Sequence, residues 1–265
     1  GYDHFMMKEI MEQPNAVKQT IESRIKGREI VFEGLKLTEE KLKTVNRIEI
    51  VACGSAYHAG MVGKYVLEEM LRIPTSIDYA SEYRYRNPIV DDKTLTIIIS
   101  QSGETADTLA ALKEAKKRGS HTLSIVNVVG SSIANASDDV IYTWAGPEIA
   151  VATTKGYTTQ LSVIYLIAVW AARILKTMDS DRVEKIFDDI CRLPELIEKV
   201  ILSEPKIKEM AKHCGDPKSL FFIGRNIDYA VSLEASLKLK EISYIHSEAY
   251  AAGELKHGTI SLIEE

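Results

Sequence analysis

The sequence has 265 residues, of which 45% are hydrophobic and 27% charged, as is typical of a soluble globular protein with one large or two medium domains. Its net charge of -5 and isoelectric point near 5.8 argue against nonspecific nucleic-acid binding, which usually requires a basic surface. Three scattered cysteines and the lack of a secretory signal or an apolar run of ~20 residues predict a reducing, cytoplasmic setting without membrane contact.

The chain begins with a predicted helical arm, residues 1–43, because apolar residues recur at roughly helical spacing between Glu9 and Leu37. Predicted strands at 48–52, 94–99, 121–127 and 140–144 follow, interleaved with helices at 56–71 and 105–118. Such alternation predicts an α/β fold with a doubly wound parallel sheet over residues 44–178. We expect the long apolar helix at 153–175 to be buried rather than to span a membrane.

The last third of the chain is predicted to hold a connector and a second α/β unit. Residues 179–215 are charged and helical in period, with expected breaks at Pro194 and Pro205. Residues 216–265 contain a strand at 219–223 and a helix at 228–242, and Gly224 occupies a place like that of Gly54 in the first unit. We therefore predict a weak internal duplication, with an incomplete second copy and an open sheet edge.

Polar side chains are concentrated in the turn between the predicted strand 94–99 and the following helix, namely Ser100, Gln101, Ser102 and Thr105. A helix start favours anions through its free N–H groups and its dipole, and parallel sheets bind ligands at the carboxyl ends of their strands. A phosphate monoester fits this turn. The spacing alone leaves open the alternative that Ser102 or Thr105 caps the helix while Glu104 supports its first turn.

Acid–base candidates lie in the second unit. Glu234, Lys238 and Glu241 are spaced so that they share one helix face, a pattern that by itself is more typical of an exposed salt-bridge stripe. His257 is expected in an exposed, glycine-flanked turn, where an imidazole can exchange protons near neutral pH, although most lone histidines are not catalytic. His246 and Glu248 look like a metal pair but lack a third ligand, so we assign them a structural role.

Three long segments carry a resemblance to a known family. Residues 100–107 (SQSGETAD), 145–151 (AGPEIAV) and 238–258 (KLKEISYIHSEAYAAGELKHG) are similar, in order, to signatures of the isomerase domain of the glutamine–fructose-6-phosphate aminotransferase family. That domain is a pair of sugar-isomerase (SIS) domains with a flavodoxin-like fold. The resemblance implies a first SIS domain at 44–178, a helical connector at 179–215 and a partial second SIS domain at 216–265.

The resemblance also implies which residues bind substrate. The sugar phosphate is expected to be held by Ser100, Gln101, Ser102 and Thr105, and the sugar by Val151, Thr153 and the turn Cys53-Gly54-Ser55-Ala56. The family has Cys-Gly-Thr-Ser in that turn, so Ala56 lacks a hydroxyl there and is left with backbone contacts. Thr153 replaces the family's serine, keeps its hydroxyl, and is also a candidate N-cap of the long helix.

The activity implied by the resemblance is conversion of fructose 6-phosphate and ammonia to glucosamine 6-phosphate. His257 opens the ring, Glu241 moves a proton between C1 and C2, and Lys238 assists, with neither a metal nor a redox cofactor. Ammonia comes from a glutaminase domain outside this chain, and His257 serves the neighbouring subunit of a homodimer. We expect the chain alone to bind sugar phosphate weakly and to be nearly inactive. Two alternatives remain, a non-catalytic SIS module that senses a sugar phosphate and a fructosamine-6-phosphate deglycase.

Overall fold

Two units make up the chain in the computed structural model, which describes residues 1–215 and 217–263. The units are Gly1–Glu198 and Lys199–Glu265, and the division falls inside the connector predicted at 179–215. Three residues of the predicted second domain, Asp216, Glu264 and Glu265, lie outside the described residues. The domain bounds drawn from the sequence stay a prediction.

The N-terminal arm is a helix followed by a small hairpin, so the long helix predicted over 9–37 is wrong beyond Glu22. Its elements are α1 (Phe5–Glu22), β1 (Ile25–Lys26), β2 (Glu29–Ile30) and α2 (Glu39–Thr44). α1 contains Pro14, which has no N–H for the carbonyl of Ile10 one turn earlier. The side-chain amide of Gln13 donates to that carbonyl instead, at 3.1 Å, and the helix continues.

A five-stranded parallel sheet organises the first unit. Its strands are β3 (Arg47–Ala52), β4 (Thr75–Tyr79), β5 (Thr94–Ser100), β6 (His121–Val126) and β7 (Asp139–Tyr142), in the spatial order β4-β3-β5-β6-β7. Every residue of β5 is buried, as expected for a central parallel strand covered on both faces. The predicted doubly wound sheet is confirmed. The sequence did not predict β4, whose five residues include a threonine, a serine and an aspartate.

Helices cover both faces of this sheet. They are α3 (Gly54–Leu71), α4 (Ala80–Tyr83), α5 (Ala106–Lys117), α6 (Ser132–Ala136) and α7 (Lys155–Leu175). Successive strand residues point to opposite faces. Ile50 lies against α3 at Gly63, whereas Val51 joins a buried cluster with Leu112 of α5 and Ile133 of α6. β3 therefore contributes side chains to the core on both faces of the sheet.

α7 has the length and composition of a membrane-spanning helix, and no other helix among the described residues does. However, 61% of its most apolar 18-residue window is buried, and the helix packs against α1 and α3. α7 is therefore a core helix, as the sequence predicted.

The connector region consists of two helices, α8 (Ser180–Ile201) and α9 (Glu204–His213). Pro194 lies inside α8, so the break predicted there is wrong. Pro205 lies at the start of α9, where a missing N–H costs nothing, and the chain does break before it as predicted.

The second unit repeats a β-α-β element of the first. β8 (Ser219–Gly224), α10 (Ile227–Ser243) and β9 (His246–Ala251) match β3, α3 and β4, and a 3-10 helix at Thr259–Leu262 follows. The strands of both pairs are parallel, and the number of residues between two paired positions is the same in the β3–β4 pair and the β8–β9 pair. Asn226, with a φ of 57°, takes the place of Gly54, which also has a φ of 57°. The predicted duplication is therefore real, but its register differs by two positions from the predicted Gly54–Gly224 match.

The N-terminal arm is fastened to the edge strand β7 by a buried carboxylate. Asp139, with 1% of its side chain exposed, accepts the backbone N–H groups of Lys36 at 2.5 Å and Leu37 at 2.9 Å. The same carboxylate lies 2.6 Å from Nε2 of His121. A side chain of the edge strand therefore holds the backbone of the arm, although the two segments are about 100 residues apart in sequence.

We predict that Asp139→Asn lowers the free energy of unfolding by about 1–3 kcal/mol, because the amide turns a donor toward N–H groups that need an acceptor. The measurement is urea unfolding followed by circular dichroism. Asp92→Asn is the matched control, since it removes the same charge from an exposed position. Equal midpoints for the two variants would show that Asp139 does not hold the arm.

Candidate active site

The strand order defines where a ligand is expected. From β3 the chain continues to β4 on one side and then to β5 on the other side, so the direction of winding reverses between β3 and β5. Open α/β sheets bind ligands in the crevice at such a reversal, beyond the carboxyl ends of the strands. Residues 53–56 come directly after β3 and include the first residues of α3, and the β5–α5 loop, residues 100–105, begins at the last residue of β5. The two polar segments predicted to bind substrate thus lie at one edge.

The β5–α5 loop is folded around the hydroxyl of Ser100. Ser100 is 3% exposed, and its Oγ accepts the N–H of Gly103 at 3.1 Å and lies 3.2 Å from Oγ1 of Thr105. Gly103 has a φ of 69°, and a Cβ there would collide with the side chain of Ser131. Only glycine fits this position, so the tight shape of the loop depends on it.

The capping alternative does not account for Thr105. Thr105 stands at the N-cap of α5, yet its side chain makes no cap hydrogen bond. The Oγ of Ser102 accepts the N–H of Glu104 at 3.2 Å, which is within the loop and before the helix. Because the first N–H groups of a helix have no partner within the helix, the start of α5 keeps the character of an anion site.

Glu104 anchors the loop to the neighbouring helix α6, a role that the sequence did not predict. Its carboxylate accepts the N–H of Ser132 at 2.8 Å and the Ser132 hydroxyl at 2.6 Å. These hydrogen bonds hold the pKa of Glu104 below its usual value. The N–H of Ile133 also donates to the carbonyl of Gly103, at 2.9 Å. The expected support of the α5 first turn is therefore replaced by a link between the β5–α5 loop and the start of α6.

The turn after β3 approaches the same helix start. Cys53 lies at the N-cap of α3, and its Sγ is 3.6 Å from Oγ1 of Thr108 in the first turn of α5. Ser55 is half-buried and Ala56 is buried. Because alanine has no polar side-chain atom, any contact from position 56 to a ligand must come from the backbone.

The β7–α7 loop, residues 143–154, contains neither helix nor strand and carries two predicted sugar-site residues. The side chain of Val151 is 95% exposed, and the hydroxyl of Thr153 donates to Glu148. Glu148 also accepts the N–H groups of Thr154 at 3.1 Å and Gly156 at 3.0 Å. The N-cap of α7 is Thr154 and not Thr153, and the carboxylate of Glu148 satisfies the helix start.

The two loops meet at Gly156. A Cβ on Gly156 would lie 2.6 Å from Oγ1 of Thr153, 2.8 Å from Oε1 of Glu148 and 2.9 Å from Cδ of Gln101. Gln101 of one loop and Thr153 of the other are therefore close together. Within the described residues, Oε1 of Gln101 is buried without a hydrogen-bond partner. A buried acceptor of this kind calls for a donor from a ligand or water. Neither Glu148 nor Gly156 was singled out from the sequence.

In the second unit, the acid–base candidates form a largely buried cluster on α10. The Nζ of Lys238 lies 3.4 Å from Oε1 of Glu234 and contacts Oε2 of Glu241. The side chains of Glu234, Lys238 and Glu241 are 7%, 15% and 28% exposed. The exposed stripe that the spacing alone favoured is therefore not what the structure has. Burial of three charges is costly unless they are paired, as these are.

The two histidines considered in the sequence analysis lie in or after β9. His257 is in the turn that follows β9, where its N–H donates to the carbonyl of Glu254 at 2.9 Å, and its side chain is exposed as predicted. Gly258 next to it has a φ of 112°. His246 lies on β9 with its Nε2 3.5 Å from Oε1 of Glu248. Glu241 and His257 are thus held by different elements of the second unit.

Comparison with known proteins gives the family. The model of the SIS domain family matches residues 41–170 and 215–265. The chain is 55% identical to the glutamine--fructose-6-phosphate aminotransferase of Clostridium tetani and 57% identical to that of Caldanaerobacter subterraneus, over 100% of the chain and 44% of each relative. This chain therefore spans less than half the length of these relatives.

Solved structures agree with this result. The C-terminal domain of glucosamine-fructose-6-phosphate aminotransferase from Francisella tularensis has a TM-score of 0.94 and 40% identity, over 100% of this chain and 74% of that one. A glucosamine-6-phosphate deaminase from Thermotoga maritima has a TM-score of 0.77 and 26% identity, over 99% of this chain and 74% of that one. The chain belongs to the SIS domain family, and within it to the isomerase domain of the glutamine–fructose-6-phosphate aminotransferases.

Proposed function

We propose that this chain carries out the sugar-isomerising half of glucosamine 6-phosphate synthesis from fructose 6-phosphate and ammonia. The observation that carries the proposal is the β5–α5 loop, in which the hydroxyls of Ser100 and Thr105 lie 3.2 Å apart at a helix start whose N-cap side chain makes no cap hydrogen bond. Such a site favours a dianionic phosphate through hydrogen bonds and the helix dipole. The identities of 55% and 57% to two aminotransferases support the same substrate.

The phosphate is bound by the hydroxyls of Ser100, Ser102 and Thr105, the Gln101 side chain and the N–H groups at the start of α5. The turn of Cys53, Gly54, Ser55 and Ala56 adds contacts from the neighbouring strand end. Val151 offers its backbone and Thr153 its hydroxyl to the sugar. The support for this arrangement is the proximity of Gln101 and Thr153 at Gly156.

In the proposed chemistry, His257 donates a proton to the ring oxygen and the C2 hydroxyl releases its proton to solvent, so the bond between C2 and the ring oxygen breaks and the open-chain ketone forms. Ammonia adds to C2, water leaves, and an imine forms. Glu241 removes a proton from C1 and returns it to C2, while the proton of the C1 hydroxyl passes to the imine nitrogen, which yields the 2-amino aldehyde. Lys238, in contact with Glu241, keeps this carboxylate in place and compensates its charge. Positioning and general acid–base catalysis each contribute orders of magnitude in rate.

Ammonia supply and assembly complete the proposal. A glutaminase domain in the full-length protein provides ammonia, and a homodimer brings His257 to the neighbouring subunit's sugar. We place the protein in the cytoplasm. The free state of Cys53, Cys191 and Cys214 is consistent with a reducing compartment.

A deaminase or a deglycase is the second candidate, since the Thermotoga structure shares the fold at a TM-score of 0.77. Both reactions use a phosphate site and proton transfer beside the C1–C2 bond. A sensor of sugar phosphates would need the phosphate site without the half-buried Lys238–Glu241 pair. Assay of the full-length protein for glucosamine 6-phosphate formation from glutamine separates these candidates.

Replacement of Ser102 by alanine should weaken fructose 6-phosphate binding roughly tenfold to a hundredfold, because one hydrogen bond to a charged group is lost. Ser102 is exposed and bonds only within its loop in the described structure, so the fold should tolerate the change. Isothermal calorimetry measures the effect.

Fructose without a phosphate is the control ligand for this experiment, and Ser203→Ala, which replaces a half-buried serine of the second unit that bonds to the Val200 carbonyl, is the control variant. Ser203→Ala should bind normally. Unchanged affinity in Ser102→Ala would place the phosphate elsewhere.

For the full-length protein, we predict that Glu241→Gln and His257→Ala are each nearly inactive, and that mixing the two restores part of the activity. Glutamine keeps the shape of the side chain but not its basicity, so turnover should fall ~100-fold or more while sugar-phosphate binding persists. In a mixed dimer, one site carries both defects and the other carries neither. The measurement is the rate of glucosamine 6-phosphate formation before and after subunit exchange.

Dimers of each variant that are covalently locked before mixing serve as the control and should show no rescue. If exchanged mixtures remain as inactive as their parents although both variants bind sugar phosphate, His257 acts within its own subunit. Near-normal turnover in Glu241→Gln would assign the proton transfer to another group.

A further inference from the structure

Two glutamates of α1 contact the β7–α7 loop and the first residue of α7. Glu9 of α1, which is 3% exposed, accepts the N–H of Ile149 at 2.6 Å and that of Ala150 at 3.2 Å. Glu12, one turn of α1 further along, lies 2.7 Å from Nζ of the buried Lys155. The ammonium of Lys155 holds the pKa of Glu12 below its usual value.

These contacts fix the loop on both sides of the predicted sugar-site residues. Glu9 binds the backbone just before Val151, and Glu148 binds the Thr153 hydroxyl and the backbone just after it. The Val151 side chain is 95% exposed and therefore contributes little packing. The position of this stretch depends on carboxylates that accept backbone N–H groups, which are stronger hydrogen bonds than neutral ones.

Further contacts along the same route support a positioning role for the arm. The Thr20 hydroxyl donates to the carbonyl of Thr143 at 2.6 Å, and Arg24 donates to the carbonyl of Tyr142. Residues of α1 therefore contact the loop at both of these places, through Thr20 near the end of β7 and through Glu9 at Ile149 and Ala150. The arm is thus a support for the loop, and α1 packs on α7 beside it.

We propose that Glu9 is a positioning residue for the sugar site, holding the β7–α7 loop so that the Val151 backbone and the Thr153 hydroxyl face the sugar. The inference rests on the proposed function for the identity of the ligand. Glu9 acts through the loop and does not touch the substrate. The phosphate group is bound by a different loop, which Glu104 anchors separately.

The test compares Glu9→Gln with Glu22→Gln in the full-length protein. Both substitutions remove one carboxylate from α1, but Glu22 is exposed. In Glu9→Gln one oxygen is replaced by an amide donor that faces a backbone N–H. We expect the affinity for fructose 6-phosphate to fall about tenfold or more, since a charge-assisted hydrogen bond is worth about that factor. The affinity for inorganic phosphate should change less than twofold, and Glu22→Gln should resemble the wild type for both ligands.

A general structural role predicts a different result, in which both ligands lose affinity together with thermal stability. That outcome, or unchanged fructose 6-phosphate binding in Glu9→Gln, would overturn the proposal. If the wild type binds inorganic phosphate but not fructose 6-phosphate, the proposed function fails and the positioning role of Glu9 toward this sugar fails with it.

Hydrogen exchange tests the contact between Glu9 and the loop directly, and its wild-type measurement does not require Glu9→Gln to fold. In the wild type, the amides of Ile149 and Ala150 should be protected although they lie outside helices and strands, and in a folded Glu9→Gln they should exchange at least tenfold faster. Rapid exchange of both amides in the wild type would show that Glu9 does not hold the loop.

Discussion

The reversal of winding between β3 and β5 is the constraint on which the candidate site depends. Because all five strands of the sheet are parallel, their carboxyl ends share one edge, and the chain leaves that edge in opposite directions on the two sides of the reversal. The strand order alone creates the crevice between the two strand ends, whatever residues lie there. The sequence at this place decides what it binds, and there it provides hydroxyls, a glycine at positive φ and a helix start.

Buried or bridging carboxylates hold two loops of the candidate site and the N-terminal arm. Glu104 joins the β5–α5 loop to α6, Glu148 closes the start of α7, and Asp139 fastens the N-terminal arm to β7. Loops lack the repeating hydrogen bonds of helices and strands, so their backbone N–H groups need other acceptors. A carboxylate can accept several such bonds at once and therefore fixes a loop with one side chain.

Regular structure was predictable from local pattern, whereas contacts between distant segments were not. The buried strands β3, β5 and β6 are runs of β-branched and apolar residues, and their positions were predicted to within one or two residues. β4 and β9 were missed because each is partly polar. Pro194 did not end its helix, since proline is a probable rather than a certain boundary.

In the candidate site, too, residues close in sequence were predictable and contacts between distant segments were not. Ser100, Ser102 and Thr105 were identified because they are close in sequence and precede a helix. The contact of Glu9 with Ile149 joins residues that lie 140 positions apart, and no spacing rule connects them. Gly156 matters because Gln101 and Thr153 pack against it, which only coordinates reveal. The exposed stripe favoured for α10 was wrong because burial depends on the surroundings of the helix and not on its own periodicity.

A crystal structure of the full-length protein with fructose 6-phosphate tests the central claim most directly. The account predicts phosphate oxygens within about 3 Å of the hydroxyls of Ser100, Ser102 and Thr105 and of N–H groups at the start of α5. It also predicts the sugar beside Val151 and Thr153. A phosphate bound away from the carboxyl ends of β3 and β5, with the β5–α5 loop empty, would contradict it.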